Sequence, residues 1–232
     1  MKPKTTDHLQ RPPSSLHLIG ITGGIASGKS YVCAQLEQAG HTVFYCDSEA
    51  KHIIRTDPEV RRQLSQLVGS DLYDAQGQLV KSKLAAWLCK GKAHAAQVDA
   101  IVHPRVAEAF ARRVAHHWEG GLPARHKEDD LPARHREPLL SPPFPRKQLD
   151  SLQQLITLPP QRVLFMECAL LFESGFDRLV DSSLLIHVSA QTQLQRLMAR
   201  DHISESKAQE WIALQFSEQQ KLELADYVLD ND

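Results

Sequence analysis

The sequence has few of the residues that stabilise disulfide-rich or zinc-binding domains. Its 232 residues include four cysteines, which lie far apart and form no Cys-x-x-Cys pair: Cys33, Cys46, Cys89 and Cys168. This spacing argues against a zinc site or a disulfide framework and is typical of a protein in a reducing compartment. We therefore expect a cytoplasmic protein.

Long apolar runs and an excess of charge are also absent. No run approaches the roughly 18 residues that a membrane span needs, and Met1–Ser15 lacks the hydrophobic region of a secretory signal. The formal net charge is −1, so a broad electrostatic contact with nucleic acid is not expected. Membrane and nucleic-acid partners are thus excluded, and residues 1–15 are predicted to form a disordered polar tail.

Apolar runs of strand length alternate with helical patterns near both ends of the chain. Leu16–Thr22 predicts a buried strand, Lys29–Ala39 a helix and His41–Cys46 a second strand. A strand, helix and strand within about 30 residues form a βαβ unit, which implies a parallel sheet covered by helices. Later segments predict further strands: Arg162–Met166, Leu184–Val188 and Tyr227–Leu229.

The middle of the chain is predicted to be helical. Glu59–Val68 and Leu79–Leu88 have helical periodicity, and apolar residues recur every fourth position from Val98 to Trp118. Because proline suits a first helical turn, we expect one helix to end near Val102 and another to begin at His103–Pro104. These helices indicate a helical subdomain inserted in the α/β core.

Prolines are concentrated in one segment. Eight of the thirteen lie between Leu122 and Pro160, where the sequence LPARH also occurs twice. We interpret Gly120–Pro160 as a long surface loop or disordered insertion, in which Leu149–Leu158 is predicted to form a short helix. A proline segment that docks a partner is the alternative.

The most specific motif is GGIASGKS at Gly23–Ser30, which matches G-x-x-x-x-G-K-[ST]. Glycines allow backbone N–H groups to turn toward phosphate oxygens, and the following helix directs its positive end at the anion. Lys29 would reach the β- and γ-phosphates, and the Ser30 hydroxyl would bind Mg²⁺. The motif predicts nucleotide binding, but it occurs in GTPases, motors and small-molecule kinases alike.

Two acidic residues follow predicted strands. Asp47 comes after the second strand and could accept a proton from an attacking hydroxyl, or act as the N-cap of a helix over Ser48–Ile54. Glu167 ends the strand VLFM and could hold Mg²⁺ through water, or simply terminate that strand.

Two arginines lie four residues apart on one predicted helix. Arg196 and Arg200 could converge on phosphates and neutralise developing charge, as in a kinase lid. The alternative is a solvated helix face that pairs with Asp201 or Glu205.

Several segments together resemble the dephospho-coenzyme A kinase family. The most specific are LLFESG at Leu170–Gly175 and VSAQTQLQRLMARD at Val188–Asp201. The resemblance covers most of Leu16–Trp118 and Gln161–Asp232, and its other segments are Ile19–Ser30, Thr42–Ile53, His103–Pro104 and Leu214–Asn231.

This resemblance implies an architecture and an activity. The fold would be the three-layer α/β fold of P-loop NTPases, with a parallel sheet, a helical substrate-binding insertion and a helical lid. Residues 16–232 would form one kinase domain, with substrate binding in 48–118, the proline-rich insertion in 120–160 and the lid in 189–215. The activity would be transfer of the ATP γ-phosphate to the ribose 3′-hydroxyl of dephospho-CoA, the last step of coenzyme A biosynthesis.

The resemblance also implies roles for individual residues. Asp47 would be the catalytic base, assisted by Lys29, Arg196 and Arg200, while His103 and Glu173 would lie near the acceptor beside Asp47. A helix cap for His103 and a structural carboxylate for Glu173 are the alternatives. ATP would be bound with Mg²⁺ on Ser30 by Gly24, Ile25, Ala26, Ser27, Gly28, Lys29, Ser30 and Tyr31.

The chain departs from the family pattern in places. Tyr45–Cys46–Asp47 stands where an Asp-Ala-Asp triplet is common, and Lys51 replaces an arginine, which preserves charge but not bidentate geometry. The family pattern usually continues past the Asp-Asn segment with a glycine-containing loop and a closing helix.

Two alternative functions are another nucleoside or nucleotide kinase, and a nucleotide-binding protein with little activity.

Overall fold

A six-stranded sheet organises the part of the chain that the computed structural model describes, residues 16–119 and 148–232. The strands are β1 (His17–Thr22), β2 (Thr42–Tyr45), β3 (Gln148–Leu149), β4 (Val163–Glu167), β5 (Ser182–His187) and β6 (Tyr227–Asp230). Their order is β2-β4-β1-β5-β6-β3. Parallel pairing joins β1 to β4 and β5, and β6 to β5 and β3, which confirms the predicted parallel α/β sheet.

The helices follow the predicted order. They are α1 (Lys29–Gln38), α2 (Cys46–Thr56), α3 (Pro58–Val68), α4 (Lys81–Leu88), α5 (Lys92–Glu119), α6 (Gln153–Ile156), α7 (Ala190–Asp201), α8 (Glu205–Ile212) and α9 (Glu218–Leu224). Short 3₁₀ turns occur at Pro160–Arg162 and Phe176–Leu179. None of the helices in the described ranges combines the length and the apolar character needed to cross a bilayer.

The described residues form two compact units. One contains residues 16–44, 113–119 and 148–232, and the other contains residues 45–112. The core of the first unit is built around β1, whose six residues are all buried. The apolar strands β4 and β5 lie on either side of it. Strands covered on both faces read as nearly continuous apolar runs, which explains why these were recognisable in the sequence.

Short polar side chains cap the start of several helices. The Asp57 carboxylate accepts hydrogen bonds from the N–H groups of Glu59 and Val60, and Pro58 occupies the first turn of α3, where its missing N–H costs nothing. Ser204 is the N-cap of α8, and its hydroxyl accepts a hydrogen bond from Lys207 N. Local sequence therefore determines where these helices begin.

The predicted break at His103–Pro104 is wrong. Helix α5 runs without interruption from Lys92 to Glu119, with Pro104 inside it. The side chains from Val98 to Val114 in the apolar stripe are buried. Their packing along one face offsets the hydrogen bond that proline removes. His103 is consequently a residue of the helix interior, not a helix cap.

The end of the proline-rich segment belongs to the fold. Residues 120–147 lie outside the described residues, as does the predicted tail, but 148–160 form β3, α6 and the start of a 3₁₀ turn. Leu149 and Leu155 are buried, and the Nε2 atom of His41 lies 3.2 Å from the carbonyl oxygen of Ile156. The prediction of a surface loop is thus wrong for residues 148–160, and the predicted helix over Leu149–Leu158 is shorter than expected.

Truncating Leu155 is expected to destabilise the whole first unit. Its side chain is 1% exposed, so Leu155→Ala should lower the free energy of unfolding by about 2–5 kcal/mol. Urea denaturation followed by circular dichroism measures the change. Gln153→Ala, on the exposed side of α6, should stay within about 0.5 kcal/mol. A loss below about 1 kcal/mol for Leu155→Ala would show that α6 is peripheral to the core.

Candidate phosphate-binding site

The motif Gly23–Ser30 forms the connection between β1 and α1, as predicted. Gly28 directly precedes α1 with a left-handed backbone (φ 92°), and Ala26 also has a positive φ of 62°. A side chain at Gly28 would be strained and would collide with the amide nitrogen of Asn231. The loop is therefore a tight turn that leads into the positive end of a helix, the geometry that attracts phosphate.

Lys29 folds back over this loop. Its Nζ donates to the carbonyl oxygens of Gly23 at 2.8 Å and Gly24 at 3.1 Å. Burial lowers the pKa of Lys29, the nearby carboxylate of Glu167 opposes that change, and the charge of Lys221 adds to it. The ammonium is thus held beside the turn, where it can move onto a phosphate oxygen.

Three polar side chains from distant parts of the sequence support the loop. Gln215 Oε1 accepts from Ile25 N at 2.9 Å, and Gln193 Nε2 donates to Ile25 O at 3.0 Å. Asn231 Nδ2 donates to Ser27 O at 2.9 Å. These residues were missed as site residues in the sequence, because a single glutamine or asparagine gives no local signal of its partner.

The predicted metal-binding positions lie near the start of α1. Ser30 is exposed in its first turn, and Glu167 is paired with Ile21 in the β1–β4 register, just before the loop. Within the described ranges, no group of three His, Cys, Asp or Glu residues could hold a metal ion. Mg²⁺ does not need such a cage, since it keeps several waters and binds through one or two protein oxygens and phosphates. Ser30 and Glu167 fit that requirement.

The two arginines of α7 have different partners. Arg196 Nη1 donates to the carbonyl oxygen of Asn231 at 2.9 Å. Arg200 forms a bidentate pair with Asp201, at 2.9 and 2.7 Å, and this hydrogen bonding lowers the pKa of Asp201. Arg196 is therefore held beside Asn231, which also contacts the phosphate-binding loop. Arg200 forms the pair with Asp201 that was the alternative interpretation of the sequence.

Glu173 faces the connection between α8 and α9. Its Oε1 accepts from Phe216 N at 2.8 Å, while its buried Oε2 has no hydrogen-bond partner among the described residues. A buried carboxylate oxygen without a partner is costly. Glu173 thus fixes the backbone at Phe216 through Oε1, and its Oε2 is available to another hydrogen-bond donor.

A cavity of about 530 Å³ lies between α7, α8 and α9. Its lining includes Gln193 and Gln215, the two glutamines that contact Ile25, and also Lys221. The cavity therefore adjoins the phosphate-binding loop within the first unit.

The second unit contains the remaining predicted residues. Asp47 lies in the first turn of α2, whose N-cap position is Tyr45, so the prediction that Asp47 is itself the N-cap is wrong. The side chain of Asp47 is 69% exposed and pairs with Lys51 at 2.5 Å. His103 Nε2 lies 3.4 Å from Asp99 Oδ1, one helical turn away. Asp47 thus presents an accessible carboxylate with a basic neighbour.

The chain is similar to known proteins over most of its length. The dephospho-CoA kinase family model matches residues 17–120 and 137–232. The dephospho-CoA kinase of Bacteroides fragilis strain YCH46 is 34% identical, over 92% of this chain and 84% of the relative. That of Chlorobaculum tepidum is 31% identical, over 93% and 86%.

A solved structure, TT1252 from Thermus thermophilus, has the same fold, with a TM-score of 0.66 and 24% identity over 94% of this chain and 89% of that one. The match of the family model extends over both described units and includes the phosphate-binding loop. The chain therefore belongs to the dephospho-CoA kinase family.

Proposed function

We propose that this chain transfers the γ-phosphoryl group of ATP to the 3′-hydroxyl of dephospho-CoA, giving CoA and ADP. Its family is that of the dephospho-CoA kinases, so the chain is a kinase. The observation that supports the nucleotide half most directly is the turn at Gly23–Ser30 with the Lys29 ammonium held over it. Positioning and charge neutralisation dominate catalysis in such transfers.

The acceptor is activated in our proposal by Asp47. Its carboxylate takes the proton of the 3′-hydroxyl as the oxygen attacks the γ-phosphorus, and the bond to the β–γ bridging oxygen breaks to release ADP. We assign residues 48–118, which contain His103, to dephospho-CoA binding, with Asp47 directly before them. Glu173 is assigned to the acceptor side as well, through its unpartnered oxygen.

Phosphate charge is neutralised by side chains of the first unit. Lys29 leaves the loop carbonyls for the β- and γ-phosphates, while Arg196 and Arg200 on α7 approach the transferring group as part of a lid over residues 189–215. The exposed Tyr31 borders the nucleotide together with Gly24–Ser30. Mg²⁺, when bound, would neutralise part of the phosphate charge. Ser30 Oγ is its proposed protein ligand, with Glu167 acting through water.

The compartment that fits this proposal is the cytoplasm. All four cysteines are free thiols, and three of them are buried. Free thiols are usual in proteins of a reducing compartment.

The acceptor assay separates this function from its alternatives. ATP consumption should be rapid with dephospho-CoA and at background with nucleosides or nucleoside monophosphates. Mass spectrometry should identify the product as CoA, in which the ribose of dephospho-CoA carries the new phosphate. Faster turnover with a nucleoside or a nucleotide would identify a different small-molecule kinase. ATP binding without transfer to any acceptor would identify a nucleotide-binding protein.

A further inference from the structure

Lys221 is a buried lysine whose ammonium has no hydrogen-bond or ion-pair partner among the described residues. Its side chain lies in α9 and is 2% exposed. Within residues 16–119 and 148–232 it forms no ion pair and no side-chain hydrogen bond. An ammonium removed from water is costly unless a negative charge compensates it. This lysine therefore needs an anion that the protein does not supply by direct contact.

The carboxylates of Glu173 and Glu218 act on the charge of Lys221, and each has one oxygen in contact with another group. Glu218 Oε1 lies 2.7 Å from Nδ1 of His187, and Glu173 Oε1 accepts from Phe216 N. Both carboxylates favour the charged form of Lys221, although burial still lowers its pKa below the ordinary value. The local charges thus attract the ammonium without neutralising it by contact.

The position of Lys221 indicates which anion could bind. It lines the cavity of about 530 Å³ together with Gln193 and Gln215. Those glutamines hydrogen-bond to the backbone N–H and the carbonyl oxygen of Ile25 in the phosphate-binding loop. The charge of Lys221 also reaches Lys29 and lowers its pKa. Two buried lysines that repel each other are best stabilised by a polyanion that contacts both.

We propose that Lys221 is a second phosphate-binding lysine, which donates from the cavity to an anionic oxygen of the nucleotide polyphosphate beyond the α-phosphate. The inference rests on the proposed function for the identity of the nucleotide. It assigns Lys221 to ATP binding, a role that does not depend on which acceptor is phosphorylated.

The test compares nucleotide binding with protein stability. Lys221→Met removes the charge and keeps an apolar side chain of similar length. Because charge-assisted hydrogen bonds are strong, the variant should raise the dissociation constant for ATP roughly tenfold to a hundredfold. The dissociation constant for AMP should change less than about twofold, since AMP lacks the β- and γ-phosphates. The thermal midpoint of the nucleotide-free protein should stay equal or rise, because replacing a buried charge by an apolar side chain is often stabilising.

Two further variants complete the design. Lys221→Arg keeps the charge, and it should restore ATP affinity to within about fivefold of the unchanged protein. Arg162→Met removes an exposed cation at the start of β4, the opposite end from the phosphate-binding loop, and should leave ATP affinity unchanged. Isothermal titration with ATP, AMP and tripolyphosphate gives the affinities without any acceptor. A failure in the acceptor assay therefore cannot be confused with a failure here.

Three results would overturn the inference. One is ATP affinity that is unchanged in Lys221→Met, and another is an equal loss for ATP and AMP. The third is a nucleotide-free Lys221→Met protein that is unfolded or melts well below the unchanged protein. That last result would assign a structural role to Lys221. Its ammonium would then be the charge that compensates the buried Oε2 of Glu173, and Lys221→Met would remove it.

Discussion

Asp47→Asn is expected to lower kcat with dephospho-CoA by about 10²–10⁴-fold, the usual contribution of a general base, while the dissociation constant for ATP changes only a few fold. The amide has nearly the shape of the carboxylate but cannot accept the proton of the ribose hydroxyl. Asp47 is well suited to this role, because its carboxylate is accessible. Lys51, one helical turn later, places its Nζ 2.5 Å from Asp47 Oδ2. Steady-state kinetics and ATP titration measure the two quantities.

The matched control for this experiment is Glu37→Gln. It removes an exposed carboxylate from α1, outside the proposed binding segments. Its kcat should equal that of the unchanged protein, and both variants should unfold at similar temperatures. Turnover retained in Asp47→Asn would remove Asp47 from the mechanism and move the search for the base to another carboxylate.

Lys29→Met is expected to reduce kcat by about 10²–10³-fold, as loss of a group that stabilises transition-state charge does elsewhere, and to weaken ATP binding more than adenosine binding. The ammonium is the only part of the side chain that can follow the phosphoryl group as charge develops on its oxygens. Apolar methionine also removes the ammonium that donates to the Gly23 and Gly24 carbonyl oxygens. Pre-steady-state kinetics and titration with ATP and adenosine separate the two effects.

The contrast with Arg162→Met makes the Lys29 result specific. Both substitutions remove one positive charge, but Arg162 lies at the amino end of β4 and Lys29 lies past the carboxyl end of β1. A similar loss of turnover in both variants would indicate a general effect of net charge. Equal weakening of ATP and adenosine binding in Lys29→Met would place Lys29 away from the phosphates.

The sequence predicts the phosphate-binding loop because glycine spacing, a preceding apolar strand and a following helix are all local features. It fails where distant packing overrides local preference. Pro104 lies within a continuous helix because a buried stripe extends on both sides of it, and Leu149 and Leu155 are buried although prolines surround them in the sequence.

The support of the loop could not be predicted for the same reason. Lys221 occurs in the polar stretch EQQKLEL, which resembles a solvated helix. Its burial follows from the packing of α9 on β5 in the folded sheet. Gln193, Gln215 and Asn231 are likewise ordinary polar residues until the fold brings them to the loop. Side chains that act through tertiary contacts leave no periodic or motif signal.

The central place of β1 in the sheet has a consequence for synthesis. Leu18 N donates to Asp181 Oδ2, a residue 163 positions later, and Ser27 O is bonded by Asn231, 204 positions later. At about 5–20 residues per second, the first of these partners follows β1 out of the ribosome after roughly 8–33 s. Until β4 and then β5 have been translated, an apolar strand with unpaired edges is exposed to other chains. The phosphate-binding loop is thus translated first and assembled last, which makes nucleotide binding a property of the completed fold.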